Sequence, residues 1–96
     1  MTVKRQAAVA TQQIDNERVI VTEWRFAPGA ETGWHRHAWD YVVVPEMDGK
    51  LLLETADGKQ LAELRAGQSY FRKAGVEHNV VNANDFEFAF VEVELR

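Results

Sequence analysis

The feature that most limits the fold of this chain is its punctuation: from Val3 onward, short β-prone runs are broken by turn residues. Arg18 to Ala27 reads as a strand closed by Pro28 and Gly29, and Trp34 to Pro45 as a second strand that runs through Tyr41 to Val44. Leu51 to Ala56 and Lys59 to Leu64 flank Asp57-Gly58, a pair that favours a type I′ turn, and make the clearest hairpin. Ser69 to Phe71 and Val76 to Asn82 are short strands, and Asn84-Asp85 turns the chain into a last one from Phe86 to Leu95. No window carries apolar residues at helical spacing, so little or no helix is expected. Connections this short join antiparallel strands, and a sheet closed on itself loses its exposed edges. The expectation is an all-β sandwich or barrel.

The 96 residues allow one domain, 1–96, with no room for a second core and no internal linker or repeat. A hydrophobic fraction of 46% argues against disorder. The chain has no cysteine, which removes disulfides, thiolate ligands and a thiol nucleophile. A net charge of −4 without a basic cluster argues against nucleic acid as a partner. Near the start, the apolar run from Ala7 to Ala10 is too short for a signal-peptide core, and no membrane-spanning stretch follows. A soluble cytoplasmic protein with no membrane partner is expected.

The chemistry concentrates in the three histidines: His35 and His37 as His-x-His, and His78 between Val76 and Val80. In a strand, residues i and i+2 point to one face, so both imidazoles of the pair can converge on a single ion. Imidazole suits iron, zinc, nickel, copper and manganese alike. If no bulge intervenes, His35, His37, Trp39 and Tyr41 share one face, and Val76, His78, Val80 and Asn82 another. Three protein ligands leave coordination positions open, as in catalytic rather than structural sites. The competing reading is a set of hydrogen-bonded histidines with no ion. A substrate pocket beside the ligands would be walled by Trp39, Tyr41, Phe26 and Phe90, although barrel core is the simpler reading for Trp24, Phe26, Phe88 and Phe90. Asp40 faces away by parity but is a candidate to orient an imidazole from behind. Glu92 and Glu94 alternate with Val91, Val93 and Leu95; solvated edge charges are the plain reading, and a carboxylate ligand for the ion is the other. Arg36 and Arg72 are candidates to hold an anionic substrate group. Ser69 lies in no nucleophile elbow, and no metalloprotease helix, phosphate loop or dinucleotide fingerprint is present.

The two histidine blocks resemble the paired motifs of the cupin superfamily. Gly29, His35 and His37 match the first, G-x5-H-x-H; Gly67, Gly75, His78 and Asn82 fall in register with the second, G-x5-P-x-G-x2-H-x3-N. The resemblance runs from Pro28 to Asn82. It departs at the first motif's glutamate, where this chain has Tyr41 and Val42, at the second motif's proline, replaced by Lys73, and at the closing glycine, matched only approximately by Gly49. Cupins without the glutamate form a three-histidine subclass that includes diketone-cleaving and thiol dioxygenases. The resemblance implies a double-stranded β-helix jelly roll, a homodimer, and one divalent transition metal per chain on His35, His37 and His78, with Fe(II) favoured and Zn, Ni or Mn as alternatives. Tyr41 would stand where the family's carboxylate points inward, and a phenol is neutral at pH 7. Tyr41 and Asp40 are then the candidate catalytic residues beside the ligands. A centre of three neutral imidazoles favours anionic chelating ligands, so the implied activity is a mononuclear non-haem dioxygenase acting on a small enolisable dicarbonyl. Redox-neutral isomerase, decarboxylase or hydrolase chemistry, and a non-catalytic module binding a small ligand or metal, remain open beside it.

Overall fold

A computed structural model describes residues 4–96; Met1, Thr2 and Val3, where the first β-prone run begins, lie outside the described residues. The described chain is all-β, with no helix. Its strands are β1 (Val9–Asp15), β2 (Val19–Phe26), β3 (His35–Arg36), β4 (Asp40–Pro45) and β5 (Gly49–Thr55). They continue as β6 (Gly58–Leu64), β7 (Tyr70–Arg72), β8 (Glu77–Asn82) and β9 (Phe88–Leu95). Two sheets form, one in the order β1-β2-β9-β4-β7 and the other β3-β8-β5-β6. All strand pairs within them are antiparallel. The all-β expectation holds. No helix of the described residues is long and apolar enough to cross a membrane.

Alternation explains how the sheets pack. In β4, Tyr41, Val43 and Pro45 are buried while the residues between them are only partly so. On β9 the same inner face is Phe88, Phe90, Glu92 and Glu94, because Pro45 pairs with Phe90, Val43 with Glu92 and Tyr41 with Glu94. Phe26 and Phe88 are fully buried, and the Phe26 and Phe90 rings meet with centroids 5.5 Å apart. Leu51 and Val80 complete this core from the second sheet. Asn82 is also buried; its amide donates to the carbonyls of Phe26, Ala27 and Phe86, tying β8 to both ends of the neighbouring sheet's connections. The framework glycines Gly29, Gly67 and Gly75 all adopt positive φ, as turn residues there should.

Gly49 is constrained by packing instead. A Cβ there would lie 2.7 Å from a ring carbon of Phe88, which is fully buried. Gly49→Ala is therefore expected to lower unfolding free energy by about 1–3 kcal/mol, the usual cost of overpacking. Urea denaturation checks this; an unchanged midpoint would show that Phe88 can shift.

Two expectations need correction. Trp34 to Pro45 is not one strand: β3 ends at Arg36 in one sheet and β4 begins at Asp40 in the other. The residues between carry the chain from sheet to sheet, and a single extended strand cannot pair in both. The hairpin turn is also displaced by one residue. Thr55 pairs with Gly58, so Ala56 and Asp57 form the loop, and only Gly58 has positive φ, at 127°. A type I′ turn needs positive φ at both central residues, which Ala56 and Asp57 do not adopt; the Asp57 N–H instead donates to the Thr55 hydroxyl, 3.2 Å away.

Candidate metal centre

β3 and β8 pair so that His35 sits directly opposite His78. His37 lies just beyond β3, pinned by its backbone: its N–H donates to the Val76 carbonyl at 2.9 Å, and its carbonyl accepts from the Gly75 N–H at 2.8 Å. The three Nε2 atoms form a triangle with sides of 3.1 Å (His35–His37), 3.2 Å (His37–His78) and 3.1 Å (His78–His35). His35 Nδ1 donates to the Gly33 carbonyl at 2.8 Å, which leaves its Nε2 bare and aimed at the triangle. Burial, then the charges His35 and His78 would carry, push His37 down to about 4; burial, followed by His35 and Arg72, does the same to His78. Neutral imidazole is the form that ligates a metal.

This donor set fits a single ion. With metal–imidazole bonds of about 2.1 Å, nitrogens this far apart subtend roughly 95–100° at the ion, closer to one face of an octahedron than to a tetrahedron. A cation at the centre of this triangle would take all three Nε2 lone pairs at once, whereas N–H···N hydrogen bonds among the rings can use them only in part. His35, His37 and His78 can hold a metal ion.

Tyr41 stacks on His37, with ring centroids 3.8 Å apart and planes 17° from parallel. Burial, followed by the charges of Tyr70 and Glu92, raises its pKa well above the usual phenol value, so it stays a neutral wall. Phe90 lines a cavity of about 150 Å³ that opens beside His78, together with Tyr41, Val43, Leu51, Tyr70 and Glu92 among others. Phe26 does not line this cavity; its ring packs against Phe90 in the core instead.

Three sequence expectations fare differently here. Trp39 does not line the cavity: the bend between β3 and β4 breaks the alternation, its ring is 37% exposed, and the Arg96 guanidinium lies over it at 5.2 Å. Asp40 touches no imidazole. Its carboxylate accepts from the Ala74 N–H at 2.8 Å, which braces the turn before Gly75 and Val76, so it acts on His37 only through backbone. Glu92 is the residue that the plain reading missed. β9 is the central strand of its sheet, not an edge, and Glu92 is buried with an oxygen 3.9 Å from His37 Nε2. Burial, and then the nearby charge of Glu94, raise its pKa to about 7, against a hydrogen bond from Trp24. Glu92 and Glu94 gather with His37 but not with His35 or His78, so neither carboxylate completes the three-imidazole set in this arrangement. A Glu-x-Glu ending on a β-rich final run was the available signal; its depth was not visible because strand order is not.

Comparison with known proteins agrees with this fold. Residues 22–94 match the family model described as a cupin domain. The chain is 67% identical over 92 residues to the "Beta-alanine degradation protein BauB" of Pseudomonas aeruginosa, covering 96% of this chain and 97% of that protein. The crystal structure of a cupin domain from Bordetella pertussis Tohama I superposes with a TM-score of 0.97 at 61% identity, covering 99% of each chain. A Klebsiella pneumoniae protein with a double-stranded β-helix domain shares the fold at 21% identity, with a TM-score of 0.78 over 98% of this chain and 81% of that one. With its jelly-roll fold and both histidine motifs in place, the chain belongs to the cupin family.

Proposed function

We propose that this cupin is a metal-dependent enzyme acting on a small, chelating β-oxo acid, with oxygen-dependent cleavage of an enolisable dicarbonyl unit as the leading reaction. The observation that carries this reading is the convergence of three Nε2 atoms within 3.2 Å of one another, beside a cavity lined largely by apolar side chains. When bound, a divalent ion, Fe(II) in the first instance, supplies a Lewis acid for an enolate and, as iron, reactivity toward O2. The chain's own residues do the rest. Gly33 fixes the His35 tautomer, and Tyr41 holds the His37 ring flat. Val43, Leu51 and Phe90 keep water scarce, which strengthens electrostatic contacts inside the cavity. Glu92, with its pKa near 7, can hold a proton beside the site at neutral pH.

The Pseudomonas relative's name refers to β-alanine degradation. Removing the amino group of a β-amino acid at the carbonyl oxidation level leaves a three-carbon 3-oxo acid, which is enolisable and chelating. Cleavage of its C2–C3 bond with both atoms of O2 retained gives formate and a two-carbon α-oxo acid, and the atoms balance. Anaerobic reconstitution with Fe(II), followed by oxygen-electrode assays on the 3-oxo acid and on acetylacetone, tests the reading. One O2 is expected per substrate consumed, with formate released from the 3-oxo acid. Silence on both would remove the dioxygenase.

A redox-neutral reaction is the second reading, favoured by Glu92, since a buried proton-holding carboxyl suits enolisation or decarboxylation more than oxygen chemistry. Substrate loss under argon that survives replacement of iron by zinc, nickel or manganese would select it. Pairing of two copies is also part of the proposal. Edge strand β1, with all seven residues exposed, supports it; light scattering should give the mass of a dimer.

A further inference from the structure

Across β4 and β7, Tyr41 pairs with Arg72 and Val43 with Tyr70. Directly opposite residues project to the same face, so Arg72 stands one strand away from the ring that stacks on His37. Among the described residues, Arg72 and Glu92 are the only charged side chains lining the cavity, one of each sign, and the remaining wall is largely apolar. Arg5, Arg25, Arg65 and Arg96 each hold a carboxylate, whereas Arg72, like Arg18 and Arg36, has no acidic partner among the described residues. Its guanidinium lies 4.6 Å over the Tyr70 ring and donates one hydrogen bond, to the Phe71 carbonyl at 2.9 Å. The aromatic ring takes the face of the guanidinium, while most of its in-plane donors remain for a ligand. Arg36, although it lies between two ligands in sequence, does not line this cavity.

We propose that Arg72 is the anchor for a substrate carboxylate, selecting short anionic dicarbonyls over neutral ones and setting their orientation in the cavity. This rests on the reading of the site as one for a chelating β-oxo acid. Size agrees: a cavity of about 150 Å³ accommodates about six non-hydrogen atoms, benzene being the known comparison, and a three-carbon 3-oxo acid has that many. Polarity agrees too. A carboxylate is drawn to Arg72 and away from Glu92, which leaves the carbonyl end toward Glu92 and the histidines.

The test is calorimetric titration of the metal-reconstituted full chain under argon, with acetoacetate and acetylacetone as probes. Both carry a ketone with a second oxygen donor in the 1,3 position, and they differ in whether that second group is a carboxylate or an acetyl. Wild type should prefer acetoacetate. Arg72→Gln should weaken acetoacetate about tenfold or more, the loss of a charge-assisted hydrogen bond, and leave acetylacetone unchanged; Arg72→Lys should recover part of the loss. Equal weakening of both probes would make Arg72 a support for Tyr41 and overturn the proposal. No change for either probe would overturn it while leaving the metal reading intact. Failure of wild type to bind either probe, with metal present at one per chain, would overturn it together with the substrate class. Arg72 is exposed on an edge strand, so the variants should melt with the wild type.

Discussion

His37→Ala is expected to empty the metal centre. The wild-type chain should carry close to one divalent ion after reconstitution, and the variant close to none at the same metal concentration. His37 holds two sides of the nitrogen triangle, 3.1 Å to His35 and 3.2 Å to His78, and no carboxylate stands within reach of the other two ligands to replace it. Loss of a group that merely orients a ligand typically costs 10–100-fold in affinity, so removal of a ligand should cost more than about a hundredfold. Tyr41→Phe is the informative control. It keeps the ring that stacks on His37 and deletes only a neutral hydroxyl, so metal content should not change. Elemental analysis of the three proteins, with circular dichroism to confirm the fold, decides the matter. An ion retained in His37→Ala would place the metal elsewhere, and an ion lost in Tyr41→Phe would make the phenol a ligand.

The metal-free protein should lose stability as the pH falls below neutrality, earlier than carboxylate protonation alone would cause. His37 and His78 are held at about 4 in the folded chain, against an ordinary value of 6.5. Above the ordinary value both are neutral folded and unfolded and contribute nothing. As the pH drops from about 6.5 toward about 4, the unfolded chain binds protons that the folded chain refuses, and stability falls. Glu92 works the other way. Raised from 4.5 to about 7, it keeps a proton in the folded state that the unfolded chain has already released, so its contribution falls as pH rises from about 4.5 to about 7. Two imidazoles against one carboxyl leave a net uptake of about one proton on unfolding near pH 5.5, a maximum near neutrality, and a loss on the order of 2 kcal/mol by pH 4.5. Urea denaturation of the chelator-treated protein across this range measures it. Stability that is flat or rising from pH 7 to pH 4.5 would show that the imidazoles are not desolvated. Metal loading should steepen the acid limb, because protons compete for the same nitrogens.

Much of this was readable from residue order. The ligand triad was visible because His-x-His is a short-range pattern, and the glycine frameworks at Gly29, Gly67 and Gly75 mark turns whose φ only glycine adopts readily. Trp39 failed because parity counts only within one unbroken strand, and the chain changes sheets between Arg36 and Asp40. Asp40 sits beside the ligands in sequence but spends its carboxylate on the Ala74 N–H. Arg36 and Arg72 looked equivalent in sequence; only the pairing of Tyr41 with Arg72 separates them.

The all-β class, the three nitrogen donors and the absence of thiol chemistry follow from residue type and spacing, which are local properties of the chain. The burial of Glu92, the stacking of Tyr41 on His37 and the opposed charges of Arg72 and Glu92 across one cavity belong to the stacked sheets alone. They depend on β9 lying between β2 and β4 and on β7 lying outside β4. That order joins residues far apart in sequence, and it is set by which apolar faces can be buried together, not by any short pattern along the chain.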